Sequence, residues 1–157
     1  NEDEVVPVAR EVEYAKGYLT IQKMRYKDKL EFEIDVEPSI LNIPLIKLVL
    51  QPIIENAIYH GLKYKESRGL LQVKGFMKDG NAVLQVIDNG VGMDEETLAH
   101  IYDKHKVNYH SNGVGVYNVQ KRLKLYYGEN YGITYESEKD VGTTATITIP
   151  GIQEESI

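Results

Sequence analysis

Four short stretches of this sequence bring together residue types that can do chemistry. In "QPIIENAIYHG", residues 51 to 61, Glu55, Asn56 and His60 interrupt an apolar helical pattern. Asn56 and His60 stand one helical turn apart and share a face, which Lys63 would extend if the helix ran on. A carboxamide oxygen can bind a hard cation, and His60 or Lys63 can approach a phosphate. The plain alternative is a polar helix edge with His60 near a C-terminal cap. In "DNGVG", residues 88 to 92, Asp88 ends a strand and is followed by Gly90 and Gly92, which permit close backbone approach to a ligand; Asp-Asn-Gly is also ordinary turn chemistry. In "NGVGVYN", residues 112 to 118, Gly113 and Gly115 open a helix, where free amides and the helix dipole attract an anion. A flexible entry to a helix would look the same. The last stretch, "GTT" at 142 to 144, precedes a strand and is otherwise a β-turn.

The bulk composition narrows what these stretches can serve. A chain of 157 residues with 42% hydrophobic content supports one ordinary core. There are no cysteines, which excludes disulfides, thiolate metal sites and a thiol nucleophile. No run reaches the roughly 20 apolar residues that cross a bilayer, and "NEDEVVPVAR" lacks the pattern of a signal peptide. A soluble piece is expected, with no direct membrane insertion. The net charge of −6 disfavours general nucleic-acid binding, so a phosphate would be held by backbone amides or a metal ion.

The elements that must position these stretches follow from periodicity. Residues 10 to 29 read as an amphipathic helix with Val12, Ala15, Leu19, Gln22 and Tyr26 at helical spacing, polar enough to be a connector. "LEFEIDV" alternates as a half-buried strand. From Pro44 to His60, Ile46, Leu50, Ile53 and Ala57 form a helical stripe capped by Gly61, in which Pro52 either kinks the helix or begins a second one. "LLQVKGFM" and "AVLQVID" read as a hairpin on an Asp-Gly turn. Asp94 suits the N-cap of a short helix, and "DKHKVNYHSN" has no period and reads as a loop. "GVGVYNVQKRLKLYYG" reads as a helix with Val116, Val119, Leu123 and Tyr126 inward and Gly128 closing it. "YGITYES" and "GTTATITIP" form a closing hairpin. The expected architecture is α+β: a two-layer sandwich with a mixed sheet of about five strands and helices on one face.

Taken in order, the Asn-bearing helix, the strand-end Asp with Gly-x-Gly, the loop, the glycine pair and the late Gly-Thr resemble the N box and the three glycine boxes of the GHKL or Bergerat fold. That is the ATP-binding domain shared by gyrase, heat-shock chaperones, histidine kinases and MutL. "LQPIIENAIYHGL", "DNGVGM", "NGVGVYNVQKRL" and "GTTATITIP" are most similar to LytS-type and YesM-type sensor histidine kinases, and "YLTIQKMRYKDKLEFEIDV" resembles the segment just before their catalytic domain. The resemblance runs from about Glu11 to Pro150. It implies that Asn56 coordinates the Mg2+ bridging the ATP phosphates, with His60 close by and Lys63 available as a further cation. It implies that Asp88 accepts from the adenine amino group, that Gly90 and Gly92 keep the wall open, and that Met93 packs near the base. Gly113 and Gly115 would bring helix amides to the phosphates, Asn118 would support them, and Thr143 would help hold Asp88 and a water. Glu55 would act as an acid-base or orienting group.

The chemistry implied is transfer of the γ-phosphoryl group of ATP to a histidine. Pro52 stands where water-splitting relatives carry a glutamate, which fits transfer to a protein acceptor rather than hydrolysis. Tyr59 occupies a position that is often basic, and the loop cations and imidazoles Lys104, His105, Lys106 and His110 read as solvated. None of the four histidines, His60, His100, His105 or His110, lies in a phosphoacceptor motif. The resemblance therefore implies the catalytic half of a longer, homodimeric, membrane-anchored kinase, on its cytoplasmic side. Residues 1–29 would be a connector helix from the dimerisation and phosphoacceptor region, 30–150 the ATPase-like domain and 151–157 a tail. The partners would be that phosphoacceptor domain and a downstream response regulator. The rival readings are a degenerate GHKL interaction module without phosphotransfer, and another GHKL enzyme, either an ATPase or an anti-sigma serine kinase.

Overall fold

The alternating run Leu30–Val36 forms a strand, with Leu30 buried and Glu33 and Asp35 turned to solvent. In the computed structural model, which describes residues 4–102 and 113–153, the order is β1 (Val5–Pro7), α1 (Val8–Tyr26), β2 (Leu30–Val36), β3 (Pro44–Ile46), α2 (Leu50–Asn56), β4 (Gly69–Lys78), β5 (Asn81–Asp88), α3 (Glu95–Ala99), α4 (Gly113–Tyr127), β6 (Gly132–Glu138) and β7 (Gly142–Pro150). Five strands make a mixed sheet in the order β2-β4-β5-β7-β6, with β2 and β4 parallel and the remaining pairs antiparallel. The β4–β5 hairpin turns on Asp79 and Gly80, both at positive φ (52° and 81°), the geometry an Asp-Gly pair favours. Its register, continued into β7, sets Asp88 opposite Thr143.

The expected two-layer arrangement is present. Leu71, Val73, Leu84, Val86 and Ile147 from the sheet pack with Leu19, Ile53, Ile54 and Leu123 from the helices in one core. The other face of the sheet is polar, with Gln72 donating to Glu33 (3.0 Å) and Gln85 to Thr146 (3.2 Å). Helix α1 is part of this core through Val8, Ala15 and Leu19, all at 0% exposure. Leu19→Ala is therefore expected to destabilise the domain by about 2–5 kcal/mol, measured by urea unfolding. An unmoved midpoint would mean that α1 merely rests on the surface.

Three local expectations change. The segment beginning at Pro44 is not one helix: Pro44–Ile46 pairs antiparallel with β1, and α2 starts only at Leu50. Pro52 lies in the first turn of α2, where no intrahelical amide bond is lost, so it belongs to the start of a helix and kinks nothing. Gly61 does not cap the helix. The chain runs on as a π-helical turn, Ala57–Leu62, closed by Lys63 N donating to Ile58 O at 2.9 Å. On α4 the inward aromatic is Tyr127 rather than Tyr126, which is 47% exposed. The Tyr127 hydroxyl accepts from Ile46 N at 3.2 Å, a contact to β3 that helical periodicity alone does not specify. Gly128, at φ 107°, closes α4 as expected.

Candidate functional site

The π turn that follows α2 is a local widening of the helix, a feature found often at functional sites. It faces the ends of β5, β6 and β7 across a cleft of about 460 Å³, with α3 at the mouth. Asn56, His60 and Gly61 line the cleft from the helix side, Asp88 and Thr143 from the strand ends, and Gly92 and Met93 from the turn between β5 and α3. Asp94 fixes α3 as its N-cap, accepting from Thr97 N at 2.8 Å.

Asp88 ends β5 and is only 5% exposed. Burial pushes its carboxyl up to about 6, against which the amides of Gly90 (2.9 Å) and Thr143 favour the charged form. No cation is paired with it among the described residues. It is a strong acceptor aimed into a largely apolar cleft, which suits a neutral N–H donor on a ligand. Across the cleft Asn56 is 6% exposed. His60 has its pKa lowered by burial and secondarily by Lys63, so the imidazole is held neutral at pH 7. Its Nε2 is buried and has no hydrogen-bond partner among the described residues. The Tyr135 hydroxyl is buried beside the Asn56 side chain, which acts on it without completing a well-formed hydrogen bond. An orphaned imidazole nitrogen in a cleft is what a site shaped for a polar ligand leaves open.

The glycines of "DNGVG" have a more specific role than openness to a ligand. Gly92 sits at φ 68°, and a Cβ there would collide with the carbonyl oxygen of Glu138. A Cβ on Gly90 would collide with the backbone of Gly61, whose own Cβ would lie 2.7 Å from Asp88 Oδ1. Val91 N donates to Gly61 O at 3.0 Å. The turn after β5 is thus docked backbone to backbone on the π turn, and this sets the position of Asp88 relative to Asn56 and His60. Thr143 takes part through Ser137: the two hydroxyl oxygens are 2.7 Å apart, and Ser137 Oγ accepts from Met93 N at 2.8 Å.

Of the residues singled out in the sequence, Asn56, His60, Asp88, Gly92, Met93 and Thr143 meet in the cleft. Gly90 supports its wall from behind. Glu55 is half-buried and accepts from Gln51 Nε2 at 3.0 Å, outside the cleft lining. Lys63 is exposed, its ammonium 4.2 Å from the Tyr59 ring centre. Gly113 and Gly115 open α4, and Asn118 is exposed on it; neither Gly115 nor Asn118 lines the cleft. Lys104, His105, Lys106, His110 and Asn112 lie outside the described residues. Tyr135 and Gly61 are the residues that sequence reasoning missed. The inward alternation of Ile133, Tyr135 and Ser137 along β6 was a usable signal for Tyr135. The Tyr135 ring packs edge-on against Tyr102 with centres 5.9 Å apart, and Tyr102 in turn donates to Ile133 O at 2.7 Å.

Residues 42–153 match the family described as histidine kinase-, DNA gyrase B-, and HSP90-like ATPase. The chain is 31% identical over 147 residues to the sensor histidine kinase YesM of Bacillus subtilis (strain 168), covering 94% of this chain and 24% of that protein. It is 30% identical over 147 residues to the sensor histidine kinase BtsS of Escherichia coli (strain K12), with the same 94% and 24% coverage. It therefore spans about a quarter of the length of these curated relatives. Among solved structures, the catalytic domain of histidine kinase ThkA superposes with a TM-score of 0.72 at 14% identity, covering 96% of this chain and 97% of that one. The mycobacterial sensor histidine kinase MprB gives 0.68 at 19% identity, covering 95% and 97%.

Proposed function

Because the chain belongs to the family of histidine kinase-, DNA gyrase B-, and HSP90-like ATPases, we propose that it is the ATP-binding catalytic domain of a sensor histidine kinase. It delivers the γ-phosphoryl group of ATP to a histidine on a separate dimerisation domain, for onward transfer to a response regulator. The observation that carries this reading is the cleft itself: a buried Asp88 with no cation paired to it among the described residues, a buried Asn56 beside the Tyr135 hydroxyl, and the unsatisfied His60 Nε2.

The residues divide the work. Asp88 accepts from the exocyclic amine of adenine, and Met93 packs against the base. Asn56 offers its carboxamide oxygen to Mg2+, which when bound neutralises phosphate charge during transfer. His60, neutral and unpaired, is available to a phosphate oxygen or to a water on the metal. Gly113 and Gly115 begin a helix, and a helix N-terminus is suited to an anion such as a phosphate. Glu55, Lys63 and Asn118 lie outside the cleft lining and would act from its margin. Thr143 steadies Asp88 through its backbone amide. The attacking group is an imidazole nitrogen of the acceptor, so the domain contributes position and charge neutralisation rather than a covalent group. Pro52 in the first turn of α2 supplies no carboxylate to activate water, which supports transfer over hydrolysis.

Residues 1–29 are proposed as the connector from the dimerisation region, 30–150 as the catalytic domain and 151–157 as a tail. No helix among the described residues is long and apolar enough to cross a membrane. The membrane anchor, the cytoplasmic setting and the homodimer are assigned to the full-length kinase. The test is to mix the domain, radiolabelled ATP and a histidine-bearing dimerisation fragment of the same kinase. Acid-labile label on the fragment, with slow phosphate release in its absence, is the expected result. Nucleotide binding with no transfer would favour an interaction module, and fast phosphate release without the fragment would favour an ATPase.

A further inference from the structure

Three polar side chains are buried among the described residues: Asn56, Asp88 and Glu11. The first two line the cleft, whereas Glu11 lies on α1 and is 4% exposed. Its carboxylate reaches across to the start of α2. Oε2 accepts from Leu48 N (3.0 Å), and Oε1 accepts from Val49 N (2.8 Å) and Leu50 N (3.0 Å). A helix begins with amides that have no partner within the helix, and α2 has no side-chain cap of its own at Val49. Glu11 supplies that cap from another helix, with a charge of the sign that a helix N-terminus favours.

The turn it grips is held from the other side as well. Leu48 adopts φ 62°, a left-handed conformation that a branched side chain rarely takes. Arg122 on α4 donates to the carbonyl oxygens of Lys47 and Leu48, the latter at 3.1 Å. The amides of residues 48–50 are thus tied to α1, and the carbonyls of residues 47 and 48 to α4. Val49 and Leu50 are at 0% exposure, so a missing carboxylate could not be replaced by water without opening the first turn of α2. That turn leads directly to Asn56 and His60.

We propose that Glu11 is a positioning residue for the nucleotide cleft: by capping α2 from α1, its carboxylate sets where Asn56 and His60 stand relative to Asp88. Helix α1 thereby holds the start of α2 directly, and it reaches Asp88 only at one remove, through the docking of the turn after β5 on Gly61. The identity of the ligand rests on the function proposed above; the joint between α1 and α2 does not.

The test compares Glu11→Ala and Glu11→Gln with Glu13→Ala, an exposed carboxylate on the same helix. Two readouts are taken: amide hydrogen exchange along the chain, and affinity for Mg-ATP beside affinity for adenosine. For Glu11→Ala the expected result is faster exchange confined to residues 48–58, about a tenfold loss of Mg-ATP affinity, and adenosine affinity within about twofold of the parent. Glu11→Gln, which keeps one acceptor oxygen, should fall between, and Glu13→Ala should match the parent. Exchange rising uniformly across the sheet, or equal losses for Mg-ATP and adenosine, would make Glu11 an ordinary core stabiliser and overturn the proposal. Unchanged Mg-ATP binding despite a loosened α2 would overturn it too. If Glu11→Ala does not fold, Glu11→Gln is read by the same criteria. If the parent binds no nucleotide, the functional reading fails, and the exchange pattern alone decides the joint: localised loosening upholds it and a uniform rise refutes it.

Discussion

Asp88→Asn is expected to weaken ATP binding about tenfold to a hundredfold while making the empty domain more stable at pH 8. The binding loss follows because a carboxamide that keeps its oxygen on Gly90 N turns its NH2 toward the adenine amine, so a charged hydrogen bond worth roughly 1.5–3 kcal/mol is lost outright. The gain in stability follows from burial. The folded-state pKa of about 6 lies above the ordinary value of 3.8, so the native state holds this proton more tightly than the unfolded chain does. Stability therefore falls as pH rises from about 4 to about 6, and the loss persists at higher pH. A rise of about 2 units corresponds to about 3 kcal/mol. Asparagine never ionises, and its carbonyl oxygen can still accept from Gly90 N, so the variant should recover about 1–3 kcal/mol at pH 8 and little at pH 4. Urea unfolding of both proteins at the two pH values measures this. A variant less stable than the parent at pH 8 would mean that the carboxylate's amide bonds outweigh its desolvation.

The second large effect concerns the metal. Among the described residues no group of three or more His, Cys, Asp or Glu side chains could hold an ion. In the proposed reading Mg2+ is held by the nucleotide phosphates together with the Asn56 carboxamide, an oxygen ligand of the type Mg2+ accepts. Asn56→Ala and Asn56→Asp are expected to abolish the dependence of ATP affinity on Mg2+: a ratio of about tenfold or more in the parent should approach one in the variants. The alanine removes the ligand oxygen. The aspartate places a second carboxylate in a cleft that already desolvates Asp88, where its charge is costly. Titration of ATP with and without Mg2+ gives the ratio, and a ratio preserved in both variants would remove Asn56 from the metal site.

What could be read from the sequence was what depends on neighbours in the chain. The alternation of Leu30–Val36, the Asp79-Gly80 hairpin, the Asp94 cap and the closing β6–β7 hairpin are local signals, and each forms where expected. The ordered set of boxes located Asn56, His60, Asp88, Gly92, Met93 and Thr143, and these share one cleft. What could not be read depends on distant partners. The β1–β3 ladder pairs three residues on each strand, too few to show a period, so the start of α2 was placed too early. The π turn carries Gly61 into close packing against Asp88, a contact that only the packed fold brings about. Glu11 carried no signal in the sequence because its three donors lie 37 to 39 residues away.

The most direct test of the central claim is calorimetric titration of the domain with ATP and with GTP, each with and without Mg2+. The structure places a buried acceptor, with no cation paired to it among the described residues, in a largely apolar cleft that Asn56 also lines, so selective, Mg2+-dependent binding of ATP is the predicted result. GTP carries a carbonyl where ATP carries the exocyclic amine, and it should bind far more weakly because Asp88 would face an acceptor. No heat of binding at millimolar ATP, or equal affinity for the two nucleotides, would contradict the assignment of this cleft as an ATP site.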